Sequence, residues 1–164
     1  MERAAIQSLQ KPLKDRYRAD PEAAVVTLSA SGFLDEGIAC SVDTGRAIAQ
    51  AGLHPATGGD GSQLCSGDML LEALVACAGV TLRSVAASLE IPVEGGRVSA
   101  EGDLDFRGTL AVDREAPVGF TAIRLLFEVD APADKRDKLL ELTLRYCVVW
   151  QTLAGTPAID AAYA

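Results

Sequence analysis

Apolar residues at Ile6, Leu9, Leu13 and Tyr17 recur every three or four positions, which predicts a short amphipathic helix over residues 3–18. Pro12 works against that helix, and the Asp20-Pro21 pair ends it. From Ala24 the pattern turns to β-type. VVTLSASGF, a turn at Asp35-Glu36-Gly37 and then GIACSVDT predict a hairpin. Residues 53–67, LHPATGGDGSQLCSG, form a glycine-rich loop between two strongly patterned regions. Asp68 is a candidate N-cap for a helix that runs to about Leu89 and that Pro92 ends. Met69, Leu70, Leu71, Leu74, Val75, Val80, Leu82 and Val85 cover more than one of its faces, so it is expected at the centre of the molecule. Two strands follow, RVSAEGDLDF from Arg97 and FTAIRLLFEVD from Phe120, then a helix over Asp134 to Leu144 with Cys147 near its end. Pro157 to Ala164 is short enough to supply an edge strand or to fray.

This order of elements is α+β rather than alternating β/α. The 164 residues are expected to form a single domain. Its parts are a helical arm (1–20), a β-hairpin region (24–52), the glycine-rich loop (53–67), the central helix (68–91) and a C-terminal β/α half (97–164). A dinucleotide fold is disfavoured, because TGGDGS forms neither GxGxxG nor GxxxxGK[ST].

Charge narrows the partners. Fifteen basic residues against 23 acidic give a net charge of -8, which repels phosphate backbones and anionic headgroups, so neither nucleic acid nor membrane is expected. Aromatic residues are few and scattered, leaving no base-stacking platform. The opening MERAAIQSLQ carries charge from its second residue, unlike a secretory signal, so the expected compartment is the cytoplasm. Met69 to Leu82, interrupted by Glu72 and followed by Arg83, falls short of the roughly 20 apolar residues that span a bilayer.

The candidate chemistry lies in the cysteines at 40, 65, 77 and 147. A reducing compartment favours free thiols, and the absence of CxxC spacing together with a single histidine, His54, disfavours a metal site or any other cofactor. His54 in Leu-His-Pro reads as a turn residue rather than a base. Cys77 and Cys147 sit in apolar surroundings where a cysteine ordinarily packs as a small hydrophobe. Cys65, in the loop, is the more open to oxidation.

Three blocks change that balance. CSGDMLLEALVACAGVTLRSVA (65–86), EGDLDFRG (101–108) and RYCVVWQTL (145–153), in this order and spacing, resemble the OsmC/Ohr family. The resemblance spans about Ala24 to Leu153. It implies an OsmC-like fold, in which strongly bent antiparallel sheets wrap a buried central helix in an intertwined homodimer. It also implies a thiol peroxidase that reduces small organic hydroperoxides. Cys77 would be the attacking thiol and Cys147 the one that resolves its sulfenic acid as a disulfide, with a dithiol reductant, lipoylated proteins included, restoring both. The alternative is a non-enzymatic OsmC-like protein that binds a small apolar ligand and keeps its cysteines reduced.

Activation of Cys77 is the demanding step. It lies far past the first turn of its helix, so the resemblance calls for a nearby cation, and Arg16, Arg18 and Arg46 are the candidates. Asp68 stands where the family carries a glutamate that orients such an arginine, which gives it a catalytic reading beside its capping one. Val148 stands where many relatives carry proline. Cys65 is an alternative disulfide partner for Cys77 if the loop folds back over the helix.

Overall fold

The computed structural model describes residues 3–35, 39–42, 52–62 and 65–162. Helix α1 (Arg3–Ala19) continues through Pro12. Its anchor is Tyr17, which is 2% exposed and donates its hydroxyl to the carbonyl of Ala56 at 2.8 Å. Tyr17 packs with Ala24, Phe106 and Leu110 in a small core of their own.

Strands β1 (Val25–Asp35) and β2 (Ala39–Val42) form the predicted hairpin, with Asp35 opposite Ala39, while the turn residues 36–38 lie outside the described part. Strands β3 (Gly96–Asp105) and β4 (Phe120–Val129) start and stop close to the expected positions. All pairings are antiparallel, and the sheet runs β2-β1-β3-β4. Alternation makes these strands legible: Val98 and Ala100 on β3 turn inward and are fully buried, while Arg97 and Glu101 face water. At the register shift beside Asp103 and Leu104, the Phe120 ring lies over Gly102. A Cβ there would stand 2.4 Å from the ring, so only glycine fits.

The outer face of β3 and β4 carries an ion-pair cluster. Arg124 reaches Asp103 at 2.6 Å and Glu101 at 3.3 Å, and Thr27 donates to Asp103 at 2.7 Å. Hydrogen bonds from Arg124 and Thr27 hold the Asp103 carboxyl down to about 2. Because the folded value is depressed, this contribution to stability is present above the unfolded carboxylate range and is lost as pH falls toward 2. Arg124→Ala is therefore expected to lower the Tm modestly at pH 7 and less at pH 2, which thermal melts at the two pH values would show.

Helix α2 (Ser66–Ser88) fills the centre. Contrary to the sequence expectation it is long and apolar enough to cross a membrane, by length and composition alone, but its buried face rests on β1 and β3 and on two C-terminal helices, α4 (Arg136–Tyr146) and α5 (Val148–Ala154). Leu71, Leu74, Val75, Ala78 and Leu82 pack there with Val98, Leu139 and Cys147, each at most 2% exposed. Each buried leucine contributes roughly 1.5–3 kcal/mol.

The helix begins earlier than the sequence predicts. Its N-cap is Cys65, whose side chain makes no capping bond, and Asp68 lies within the first turn, so the capping role expected of Asp68 is overturned. A short helix α3 (Phe106–Thr109) follows β3, with Asp105 accepting the N–H of Arg107. Between Pro157 and the last described residue, 162, there is no strand, so the edge-strand expectation fails there.

Candidate active site

The site is built where α4 meets α5. The single residue between them is Cys147, at once the C-cap of α4 and the N-cap of α5, with extended backbone (φ -73°, ψ 107°) that redirects the chain. Its sulfur takes the place usually held by a serine or aspartate oxygen, accepting the N–H of Trp150 at 3.5 Å. The side chain is fully buried.

The first residues of α5 face α2. The backbone N–H groups of Val149 and Val148, the thiol of Cys147 and the hydroxyl of Thr81, one helical turn beyond, are the polar neighbours that bear on the acidity of Cys77. Both thiols are free, and Cys77 is the more exposed, only half-buried. Cys77 and Cys147 pack in one core and each bears on the acidity of the other.

The two thiols are driven apart in acidity. Burial pushes the Cys77 thiol up, but these four neighbours outweigh it and bring it below its ordinary value. Cys147 is pushed up to about 11, first by burial and then by its neighbour Cys77, against the N–H groups of Trp150 and Val149. Cys77 is thus the more acidic of the two thiols, and Cys147 the one that holds its proton more firmly.

Among the described residues, the largest influences on its sulfur are burial and four hydrogen-bonding neighbours, none of them basic. Arg16 and Arg18 are exposed near the end of α1, where Arg18 pairs with Asp15 at 3.0 Å. Arg46 lies outside the described residues.

Asp68 does not join the pair either. The helix is continuous between them, which places Asp68 about 13 Å from Cys77 along the axis and on the opposite side. There burial raises its carboxyl, and nearby His54 partly opposes the shift. His54 is the turn residue the sequence predicts: it caps the 3-10 turn Pro55–Thr57, its Nδ1 accepts the N–H of Ala56 at 3.0 Å, and its ring stacks on Phe106 at 5.1 Å. His54 and Cys65 line a separate cavity of about 380 Å³.

Cys65, at the start of the helix that carries Cys77, lies about 18 Å from it along the axis. A disulfide needs Cα atoms within about 7 Å, so Cys65 is not a partner for Cys77. The sequence reading missed Thr81 and the two valine N–H groups. Thr81 had a signal in its helical spacing from Cys77; the N–H groups had none, because they depend on where a distant helix starts.

A family model described as OsmC-like protein matches residues 59–162. Among solved structures, the chain is similar to an OsmC-like hydroperoxide resistance protein from Jannaschia sp. CCS1, with a TM-score of 0.60. That likeness covers 83% of this chain and 91% of the other at 16% identity, which speaks to the fold alone. No curated protein matches the chain. The family match covers well over half of the sequence and takes in both thiols and the helices that hold them, and the chain belongs to the OsmC-like protein family.

Proposed function

We propose that this protein is a thiol peroxidase that reduces organic hydroperoxides to alcohols, with Cys77 attacking and Cys147 resolving. The observation that carries the reading is a pair of free thiols in one core, one half-buried and the other fully buried, with the first the more acidic. In the first step the Cys77 thiolate attacks the distal oxygen of ROOH, and the O–O bond breaks. Sulfur gains OH, and the alkoxide takes up the proton that Cys77 released, giving ROH.

That step also removes the neighbouring thiolate, which was part of what held the proton on Cys147. Cys147 then attacks the sulfenic sulfur. Its proton leaves with the hydroxide as water, and a Cys77–Cys147 disulfide remains. A dithiol reductant, of which a lipoylated protein is one class, reduces that bond and closes the cycle.

The chain is further proposed to work as a homodimer in the reducing cytoplasm. Leu70 and Val80 leave apolar surface of the central helix exposed, which a second copy would cover. The competing reading, an apolar-ligand binder with permanently reduced cysteines, makes the opposite forecast in one experiment. The reduced protein is treated with one equivalent of cumene hydroperoxide, and its disulfides are mapped by mass spectrometry. A Cys77–Cys147 bond within seconds, with Cys65 left free, is expected. Thiols unchanged, or oxidised no faster than free cysteine, would sink the peroxidase and favour the binder.

A further inference from the structure

Packing alone does not fix the elbow at Cys147. No residue of α5 is buried, and Val148, which opens the helix, is 71% exposed. Hydrogen bonds across the break do the rest. In a straight helix the carbonyl of Leu144 would accept the N–H of Val148, four residues on, but the extended backbone of Cys147 turns the chain out of that path. The side chain of Gln151 takes over, donating its Nε2–H to the Leu144 carbonyl at 2.8 Å. The backbone N–H of Gln151 goes to the carbonyl of Cys147 at 2.9 Å. One residue thus bonds on both sides of the break. Cys147 itself is tied to α4 through its N–H on the Thr143 carbonyl at 2.9 Å, and to α5 through its sulfur on the Trp150 N–H at 3.5 Å.

We propose that Gln151 is a positioning residue for the resolving step: its amide satisfies the carbonyl that the break leaves without a helical partner, fixes the angle between α4 and α5, and so holds the buried Cys147 sulfur in the core shared with α2. This rests on the reading of Cys147 as the thiol that closes onto Cys77, and adds how that thiol is held. The effect belongs to closure more than to the first attack. Attack on a small molecule needs the Cys77 sulfur alone, whereas closure needs two sulfurs brought to bonding distance in line, where a small misplacement costs most. Gln151 gives up no proton and takes part in no bond that forms or breaks. Its side chain is exposed, so exchanging it leaves no cavity.

The test uses Gln151→Met, which keeps the length and loses the donor, and Gln151→Lys, which brings an N–H donor to the same carbonyl. Closure is read without hydroperoxide. One equivalent of dithiodipyridine labels Cys77 as a mixed disulfide and releases one thiopyridone. The Cys147 thiolate then attacks the Cys77 sulfur, a second thiopyridone leaves, and the Cys147 proton goes to solvent. Stopped-flow absorbance follows the two phases, and mass spectrometry of quenched samples identifies the mixed disulfide and the Cys77–Cys147 bond. Gln151→Met is expected to slow the second phase about fivefold, the weight of one exposed hydrogen bond, and the first phase at most about twofold. Gln151→Lys is expected to restore the second phase.

Gln151→Met closing at the wild-type rate, or Gln151→Lys closing as slowly as Gln151→Met, overturns the role of Gln151. Equal slowing of both phases with a lowered Tm marks a general loosening of α5 and overturns it as well. A wild type that closes the bond with dithiodipyridine yet is inert toward cumene hydroperoxide fails the peroxidase reading and leaves the positioning role intact. A wild type that never releases the second thiopyridone overturns the positioning role itself.

Discussion

Replacing Cys77 with serine is expected to lower hydroperoxide turnover at least about a thousandfold, the largest effect of any single change in this chain. A serine hydroxyl at the same place would receive the same donors, but these stabilise an anion that an alcohol does not form at neutral pH. The fold should tolerate the exchange, since Cys77 is half-buried and the volume change is small. Cys147→Ser separates the two halves of the cycle. Its hydroxyl still supplies a donor to Cys77, so the first turnover should proceed near the wild-type rate and stall as a sulfenic acid at Cys77, trapped by dimedone and read by mass spectrometry. Cys147→Ala removes that donor as well, and its first turnover should be slower. Equal first-turnover rates in Cys147→Ser and Cys147→Ala would show that the hydrogen bond between the thiols does nothing for attack.

The difference between Cys77 and Cys147 was only partly legible in the sequence. Strands with clean alternation, such as Gly96–Asp105, declared themselves, because one face must be apolar whatever the rest of the chain does. Helix α2 declared itself by composition, yet its start did not: Asp68 looks like a cap, but Ser66 and Gly67 already carry helical geometry. Helix α5 was hidden for a related reason. VVWQTLA has β-type residues at its start and no serine, threonine, aspartate or asparagine before it, and a cysteine sulfur does the capping.

That missed helix start left out of account neighbours that raise the acidity of Cys77 without any charge. Seen along its own helix, Cys77 has no unpaired N–H groups near it, and only an added charge would make it acidic. The donors come from α5, whose first residues are some 70 positions further on, and from Thr81. The resemblance supplied the identities of the two cysteines, and tertiary packing supplied the acidity that their positions in sequence could not account for.

Val148→Pro gives this account its sharpest trial, because it removes one N–H and little else. Val148 is the first residue of α5, where an N–H has no partner within the helix and where proline is well tolerated. Cys147 before it is already extended, as a residue preceding proline prefers to be. The valine side chain is 71% exposed, so its packing contributes little. The sulfur of Cys77 loses one donor of four. Val148 is the least of these four influences, so its loss is expected to raise the Cys77 value by no more than about one pH unit.

Below both values the thiolate fraction then falls about tenfold for each unit, while the less acidic sulfur becomes about threefold more nucleophilic, so the net rate at neutral pH drops about threefold per unit. At alkaline pH, with both proteins ionised, the order should reverse and the variant should be the faster. Val148→Ala, which keeps the N–H, should follow the wild-type profile throughout, and far-UV circular dichroism checks that α5 persists. Crossing curves for the proline variant alone would assign the effect to the N–H, whereas parallel curves, or an alanine variant that shifts equally, would return the acidity of Cys77 to some other source.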